Sequence, residues 1–204
     1  DGMTVSTVVR KAGKSRSISD IMNMRYGRYD TYFDDIDDEE KAYFLGMLLA
    51  DGCIMYHKMS TQQEMILTLQ IGDGYIVERL ASILGRKLYT RPSRGRTKAS
   101  VRVNVTSDHI VNTLRGYGFT ERKSTDNHDA IGFNHIPQSL MNHFIRGIVD
   151  GDGSIYIDNR DHGAIKVCGN YQDMQAIANI FNSIGCSMKV PRKDGSIYQV
   201  VWGS

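Results

Sequence analysis

The chain has 204 residues, 41% of them hydrophobic, which is enough for one or two domains with proper cores. Its 25 basic and 23 acidic residues give a formal net charge of only +2. Seven of the acids lie between Asp30 and Glu40, so the rest of the chain is basic and compatible with nucleic-acid binding. Three cysteines without C-x-x-C spacing argue against a disulfide framework or a zinc site and favour a cytoplasmic or other reducing compartment. No apolar run approaches the ~20 residues of a membrane span, so no membrane partner is expected.

Residues 1–36 differ in character from the rest and are predicted to form a basic N-terminal segment. Apolar spacing indicates one helix from Thr4 to Lys11 and another from Ser17 to Arg25, joined through Gly13. The segment resembles the trailing part of a helix-turn-helix module, and a basic tail or linker is the alternative.

The first strong helix signal follows the acidic run. Asp37 and Glu40 fit an acidic capping box in front of the apolar run Tyr43 to Leu49. Gly52 is expected to end this helix in the left-handed conformation that glycine accepts most easily. A first repeat, residues 37–135, therefore begins here.

The remainder of the first repeat alternates strands and helices. Met65 to Ile71 alternates apolar and polar residues as a half-buried strand does, and Ile76 to Leu84 carries apolar residues at helical spacing. Leu88 to Arg91 and Val101 to Val105 are predicted to be strands on either side of a basic turn. Ile110 to Leu114 is predicted to be a short helix. The order is helix, two strands, helix, two strands, helix.

A second repeat, residues 136–204, has the same order. Pro137 suits the first turn of a helix that is predicted to end at Gly153, again in the left-handed conformation. The elements predicted after it are strands at Ile155–Asp158 and Ala164–Cys168, a helix carrying Ile177 to Ile184, and strands at Ser187–Arg192 and Ile197–Trp202. The sequence ends near the equivalent of Ser107, so the counterpart of the last helix of the first repeat is expected to be missing.

The two long helices are copies of one pattern. FLGMLLADGCI, from Phe44, and FIRGIVDGDGSI, from Phe144, align on their last acids, Asp51 and Asp152. Two similar halves imply a pseudo-twofold molecule, which suits a pseudo-twofold partner such as duplex DNA. Each helix also carries small residues four apart, namely Gly46 with Ala50 and Gly147 with Gly151.

Small residues four apart lie on one helix face and let two backbones approach closely. Glycine inside a helix costs about 1 kcal/mol relative to alanine, so Gly46 and Gly147 need a packing reason, which contact between the two helices supplies. Asp51 and Asp152 would then lie side by side at the negative ends of two helix dipoles, where carboxylates are disfavoured. A divalent cation removes this problem, and paired carboxylates with Mg²⁺ are the parts of a metal-assisted nuclease.

FLGMLLADG and IRGIVDGDG match the LAGLIDADG motif over its whole length, and from Asp37 onward the chain resembles the single-chain, two-motif form of the LAGLIDADG homing endonuclease family. The resemblance implies that Asp51 and Asp152 are the catalytic, metal-binding acids, one per active site. The residues before them, Ala50 and Gly151, are assigned to the same metal sites. The sequence RKS before the second motif resembles a family position, which makes Lys123 a candidate catalytic residue of the first half, with a surface loop lysine as the alternative.

The resemblance implies a monomeric, site-specific endonuclease that uses Mg²⁺, or Mn²⁺ in its place, to make staggered double-strand breaks in a long asymmetric DNA target. The implied fold is α/β (α+β), with two pseudo-symmetric αββαββα-like repeats packed through the motif helices and antiparallel sheets forming a DNA-binding saddle. A DNA-containing compartment of a phage, bacterial or organellar host is the expected location. An RNA splicing maturase or a non-cleaving DNA-binding regulator of the same fold is the alternative.

The polar faces of the predicted strands carry side chains that can donate to or accept from base edges. Those predicted to contact DNA are Thr68, Gln70, Arg91, Arg102 and Asn104 in the first repeat and Lys166, Lys189 and Gln199 in the second. The basic turn that starts at Arg91 adds Arg94, Arg96 and Lys98, which are predicted to contact phosphates. An ordinary solvated sheet face is the alternative for the strands.

Overall fold

The computed structural model describes residues 29–56, 62–123, 128–157 and 161–203. The N-terminal helices predicted within Thr4 to Arg25 lie outside these ranges. Across the described part of the chain, no helix is long and apolar enough to cross a membrane.

The first repeat alternates helices and strands in the predicted order. Helix α1 (Glu39–Asp51) is followed by strands β1 (Gly52–Tyr56) and β2 (Gln63–Gln70), helix α2 (Gly74–Ile83), strands β3 (Leu88–Arg91) and β4 (Ser100–Thr106), and helix α3 (Asp108–Gly116). The four strands form one antiparallel sheet in the order β1-β2-β4-β3.

The second repeat follows two short 3-10 turns, Phe133–His135 and Gln138–Leu140. Its elements are helix α4 (Met141–Asp152), strands β5 (Gly153–Ile157) and β6 (Gly163–Gly169), helix α5 (Tyr171–Ser183), and strands β7 (Arg192–Asp194) and β8 (Ile197–Gly203). The sheet order is β5-β6-β8-β7, again antiparallel throughout. The predicted fold class, a mixed α/β structure with two antiparallel sheets, is confirmed.

The motif helices begin slightly later than predicted. The N-cap of α1 is Asp38 and not Asp37, because the Asp38 carboxylate accepts a hydrogen bond from the main-chain N–H of Lys41 at 2.8 Å. The Asp37 carboxylate is instead paired with the Lys41 ammonium at 2.6 Å. In the second repeat Pro137 leads into a 3-10 turn, and α4 itself begins at Met141.

The prediction that Gly52 and Gly153 end their helices in the left-handed conformation is wrong. Both have extended backbone, with φ of −79° and −95°, so each helix passes directly into a strand. Glycine is needed here for space: a Cβ on Gly52 would lie 2.6 Å from the carbonyl oxygen of Leu48. The Val149 carbonyl oxygen blocks a Cβ on Gly153 in the same way.

The strand predicted at Ser187–Arg192 is also wrong, since the third strand of the second sheet is Arg192–Asp194. Pro191 has no N–H to give to a strand ladder, so the stretch before it does not pair. The register is set instead by the turn at Gly195, whose φ is +60° and which brings Asp194 opposite Ile197.

The core lies where the helices cover one face of each sheet. Strand β2 places Met65, Leu67 and Leu69 on the buried face of the first sheet, where α2 and α3 pack. Helix α5 packs on strands β6 and β8 of the second sheet, and the described ranges contain no counterpart of α3 there. Accordingly, Ile155 on β5 is 76% exposed, whereas its counterpart Ile54 on β1 is 1% exposed.

Candidate functional site

Helices α1 and α4 pack through their small residues. A Cβ on Gly46 would lie well under 3.0 Å from the carbonyl oxygen of Phe144, and a Cβ on Gly147 equally close to that of Tyr43. No side chain can occupy either space, so the two backbones touch. The Tyr43 hydroxyl also donates a hydrogen bond to the Asp150 carboxylate at 3.0 Å and ties the same two helices together.

This packing brings Asp51 and Asp152, the last residues of α1 and α4, to the same end of the helix pair. A Cβ on Gly151 would lie 2.9 Å from Oδ2 of Asp51, so the missing side chain leaves room for the Asp51 carboxylate. Both acids lie at the negative ends of helix dipoles and close to each other. That position disfavours two ionised carboxylates.

The local environment raises the pKa of both carboxyls. Burial, and then the neighbouring charge of Asp51, raise the pKa of Asp152 to about 6, with Lys123 acting in the opposite direction. Burial also raises the pKa of Asp51, with Lys123 lowering it and Asp73 adding to the rise. Both side chains remain open to solvent on one side, from which a ligand can reach them.

Lys123 lies in the same site, on the turn that leaves the first repeat. Its ammonium donates to the main-chain carbonyl of Ala50 at 2.9 Å, and the residue is only 8% exposed. Burial lowers the pKa of Lys123, and the charge of Asp152 is the largest influence that raises it. Although the sequence assigns Lys123 to the first half, its strongest charged neighbour therefore belongs to the second motif helix.

The two acids face different cavities. Asp152 lines a cavity of about 130 Å³, whose other polar lining residues are Lys123, Cys168, Asn170 and Asp173. Asp51 lines a larger cavity of about 410 Å³, whose other polar lining residues are Thr68, Gln70, Asp73 and Asp150. Both cavities thus contain additional carboxylates, and the buried ammonium of Lys123 lines the one at Asp152.

The oxygen donors of this site fit a hard divalent cation. Within the described ranges no group of three or more His, Cys, Asp and Glu side chains is arranged to hold a metal, so Asp51 and Asp152 would act together with main-chain oxygens. The last carbonyls of a helix have no partner within it, and those of Ala50 and Gly151 stand in this position. The Ala50 carbonyl accepts from Lys123 through one of its two lone pairs, which leaves the second for a cation.

The outer face of the first sheet is polar and continuous. Strand register pairs Thr68 with Arg102, and Ser100 in the next row lies between Gln70 and Arg91. Cross-strand partners share one face of a sheet. The residues predicted to read bases in this repeat therefore lie on a single surface.

Sequence reasoning missed two residues of this surface, Glu64 and Tyr89. Glu64 accepts hydrogen bonds from Thr106 at 3.0 Å and from Asn104 at 3.4 Å, which orients the Asn104 amide. The guanidinium of Arg102 lies 5.9 Å from the ring centroid of Tyr89. Extending the alternation of β2 backwards would have found Glu64, whereas Tyr89 gives no signal until the pairing of β3 with β4 is known.

The second sheet presents a different set of residues. Lys166 pairs with Ser154, and Gln199 pairs with Arg192, so these four lie on the outer face. Arg192 was not among the predicted contacts. Lys189 precedes β7 and lies in no strand, so its assignment to a strand face is wrong for the same reason as the misplaced strand.

The basic turn is a tight, exposed hairpin. Arg94 and Thr97 exchange main-chain hydrogen bonds of 3.0 and 3.1 Å around Gly95, whose φ is +58°. A two-residue hairpin loop with positive φ at its first position favours glycine there. The four cations of the turn, Arg91, Arg94, Arg96 and Lys98, are all exposed.

No protein-family profile matches the chain, and no curated protein sequence matches it. Solved structures do match. The LAGLIDADG homing endonuclease I-LtrWI bound to target DNA superposes with a TM-score of 0.51 at 14% identity, over 87% of this chain and 79% of that chain. A mutant of I-SmaMI, also a LAGLIDADG homing endonuclease, gives a TM-score of 0.50 at 13% identity, over 78% of each chain.

At such low identity the likeness establishes the fold and not the reaction. In this chain the fold consists of two antiparallel four-stranded sheets and two motif helices that pack backbone to backbone. This chain therefore has the fold of the LAGLIDADG homing endonucleases.

Proposed function

We propose that this protein is a site-specific DNA endonuclease of the LAGLIDADG type that makes staggered double-strand breaks in a long asymmetric target. The observation that carries the proposal is the pairing of Asp51 with Asp152 at the ends of two helices that touch. Neither the helix dipoles nor the neighbouring carboxyl favours an ionised acid there. A bound divalent cation would be the largest local charge and would favour the ionised form of both carboxyls.

Mg²⁺, with Mn²⁺ as a substitute, is the proposed cofactor. Asp51 and Asp152 would hold it with the main-chain carbonyls of Ala50 and Gly151. When bound, the cation supplies Lewis-acid polarisation of a phosphodiester and lowers the pKa of water. Lys123 would donate to a phosphate oxygen near Asp152 and stabilise the negative charge that develops there.

The outer faces of the two sheets are the proposed DNA-binding surface. Strands fit the major groove, where their side chains can read base edges. By strand register Thr68 and Arg102 correspond to Cys168 and Gln199, so the two halves offer different chemistry to the two half-sites. Because one chain carries both acids, a monomer is sufficient for a target without twofold symmetry. The DNA bound to I-LtrWI, which has this fold, supports duplex DNA as the partner.

A cleavage selection tests the proposal directly. The protein is incubated with a plasmid library of random targets and Mg²⁺, and the new DNA ends are sequenced. We expect one group of related, asymmetric sites cut on both strands with a constant stagger. The matched control is the double variant Asp51→Asn, Asp152→Asn, which should bind the selected site without cutting it.

Specific binding by the wild-type protein without cleavage in either Mg²⁺ or Mn²⁺ would contradict the proposal and favour a regulator. Specific retention of RNA in place of DNA would favour a maturase.

A further inference from the structure

Asp173 is a buried acid that the proposed reaction does not use. It lies in the first turn of α5 and is only 4% exposed. Capping does not require its burial, because Asn170 already caps this helix by accepting from the Asp173 main-chain N–H at 2.9 Å. A carboxylate buried at this cost is expected to have partners that need its charge or its hydrogen bonds.

Those partners belong to the connection between the two repeats. The Asp173 carboxylate accepts from the main-chain N–H of Ile131 at 2.8 Å and from the side-chain amide of Asn170. The Asn170 amide lies 3.3 Å from Nε2 of His128, and the same nitrogen of His128 lies 2.6 Å from the main-chain oxygen of Lys123. To bond the Lys123 oxygen, Nε2 of His128 must donate, so Asn170 packs against this ring without a hydrogen bond to it. The start of α5 therefore holds the connection at Ile131 and lies next to the ring that binds the backbone of Lys123.

The side chain of Lys123 ends in the cavity that Asp173 also lines. Its ammonium binds the Ala50 carbonyl, and the charges of Asp152 and Asp173 both favour its protonated form. Asp152 and Asp173 thus line one small cavity together with the Lys123 cation. Lys123 comes from the first repeat, whereas Asp173 and Asn170 belong to the second.

We propose that Asp173, held in place by the Ile131 N–H and by Asn170, is a positioning residue that keeps the Lys123 ammonium beside Asp152, so that the second repeat sets the geometry of a lysine carried by the first. This inference rests on the proposed function for its catalytic consequence, although the positioning itself exists without DNA. It also means that Asp152 and Asp51 have different neighbours, because Lys123 lines the cavity at Asp152 and not the larger cavity at Asp51.

The kinetic test is a double-mutant cycle. Asp173→Asn removes the charge and the acceptor for the Asn170 amide but keeps an oxygen for the Ile131 N–H, so it is less disruptive than Asp173→Ala. We expect it to lower the single-turnover cleavage rate by about tenfold with unchanged DNA affinity, and Lys123→Met to lower that rate by about a hundredfold. In the Lys123→Met background Asp173→Asn should have almost no further effect, because its effect is transmitted through the lysine. Additive losses would overturn the proposal, since they would show that Asp173 acts independently of Lys123.

The matched control is Asp108→Asn, which removes an exposed acid from the first turn of α3, where it accepts from Gln63 at 3.2 Å. It removes the same helix-dipole interaction without touching Lys123, so its cleavage rate should equal that of the wild type. A loss equal to that of Asp173→Asn would show a general charge effect and overturn the proposal.

A second readout does not depend on cleavage. Amines of the folded protein are reductively methylated for short times, and modification of individual lysines is followed by peptide mass spectrometry. In the wild type, Lys123 should react far more slowly than the exposed Lys98, and Asp173→Ala should raise the Lys123 rate about tenfold while leaving Lys98 unchanged. If the wild type cleaves no DNA but this protection is present, the proposed function fails and the positioning stands. If Asp173→Ala folds normally and leaves Lys123 protected, the positioning is wrong.

Discussion

The main chain of Gly147 lies directly against that of Tyr43: a Cβ on Gly147 would come well under 3.0 Å from the Tyr43 carbonyl oxygen. Both contacting groups are backbone in the middle of helices, so neither can move aside as a side chain would. We therefore expect Gly147→Ala to destabilise the protein by about 1–3 kcal/mol or more, measured by urea denaturation.

The control for this change is Gly116→Ala. Gly116 is also helical, at the end of α3, but nothing lies within 4 Å of the position of its added Cβ. There the substitution should be neutral or stabilising by up to about 1 kcal/mol, because alanine is the better helix former. Equal stabilities for the two variants would show that α1 and α4 do not touch at Gly147.

Replacing Asp51 or Asp152 alone tests whether each acid is needed for double-strand cleavage. Asp51→Asn and Asp152→Asn are each expected to abolish or strongly reduce double-strand cleavage while leaving DNA affinity within about threefold, because in the proposed site the acids hold metal and do not read bases. Nicked and linear plasmid are resolved on one gel, and affinity is measured in Ca²⁺. A variant with weakened binding and normal cleavage at saturating protein would contradict the assignment.

The motif helices could be predicted from the sequence because their signals are local. The small residues of each pair are four positions apart on one helix, and the acid that follows them is fixed by the end of the same helix. Residues whose role depends on pairing across the fold could not be found this way. Asp173 looks like an ordinary acid in a first helical turn until Ile131 is brought against it.

The errors have the same origin. The left-handed conformation predicted for Gly52 reflects what glycine permits, whereas the fold uses the absence of its Cβ beside Leu48. The assignment of Lys123 to the first half stays a prediction. Its ammonium binds the Ala50 carbonyl of the first motif helix, and its largest charged neighbour is Asp152 of the second, a pairing that sequence position alone does not indicate.

The stability of the metal-free protein should fall as pH rises from about 4 to above 6. The pKa of Asp152 is raised from its ordinary value to about 6 in the folded protein. The native state therefore binds more protons than the unfolded state within that interval, so stability is present at low pH and lost as pH rises through the folded pKa. Other titratable groups also contribute to the pH dependence of stability, so the wild type is compared with Asp152→Asn. The melting temperature of this variant in EDTA should vary less over this pH interval.

The same experiment predicts the effect of metal. Above pH 6 the added cation binds ionised carboxylates, so Mg²⁺ should raise the melting temperature of the wild type more at pH 7.5 than at pH 5. Asp152→Asn should show little of this increase. Identical pH profiles for wild type and variant would mean that the Asp152 carboxyl does not titrate abnormally.

DNA binding should depend steeply on salt, and the hairpin turn at Gly95 should carry part of that dependence. Each cation that neutralises a phosphate releases condensed counterions and contributes about −0.9 to the slope of log affinity against log salt. Because Arg94 and Arg96 are exposed on this turn, replacing both with alanine should make the slope shallower by roughly 1 to 2. The loss of affinity should be similar for the cognate target and unrelated DNA.

The control for the salt experiment removes two cations elsewhere. Lys41 and Arg79 are paired with Asp37 and Glu40 at the N-terminal end of α1, opposite the end that carries Asp51. The double variant Lys41→Ala, Arg79→Ala lowers the net charge equally, and its slope should match that of the wild type.

A turn that reads bases would behave differently from one that binds phosphates. In that case the slope of the Arg94, Arg96 variant would stay close to that of the wild type, and discrimination at particular base pairs would relax. Binding isotherms for both duplexes at several salt concentrations distinguish these outcomes. Wild-type behaviour of the Arg94, Arg96 variant on every duplex would mean that the turn is a solvated loop and that the phosphate contacts lie elsewhere on the sheets.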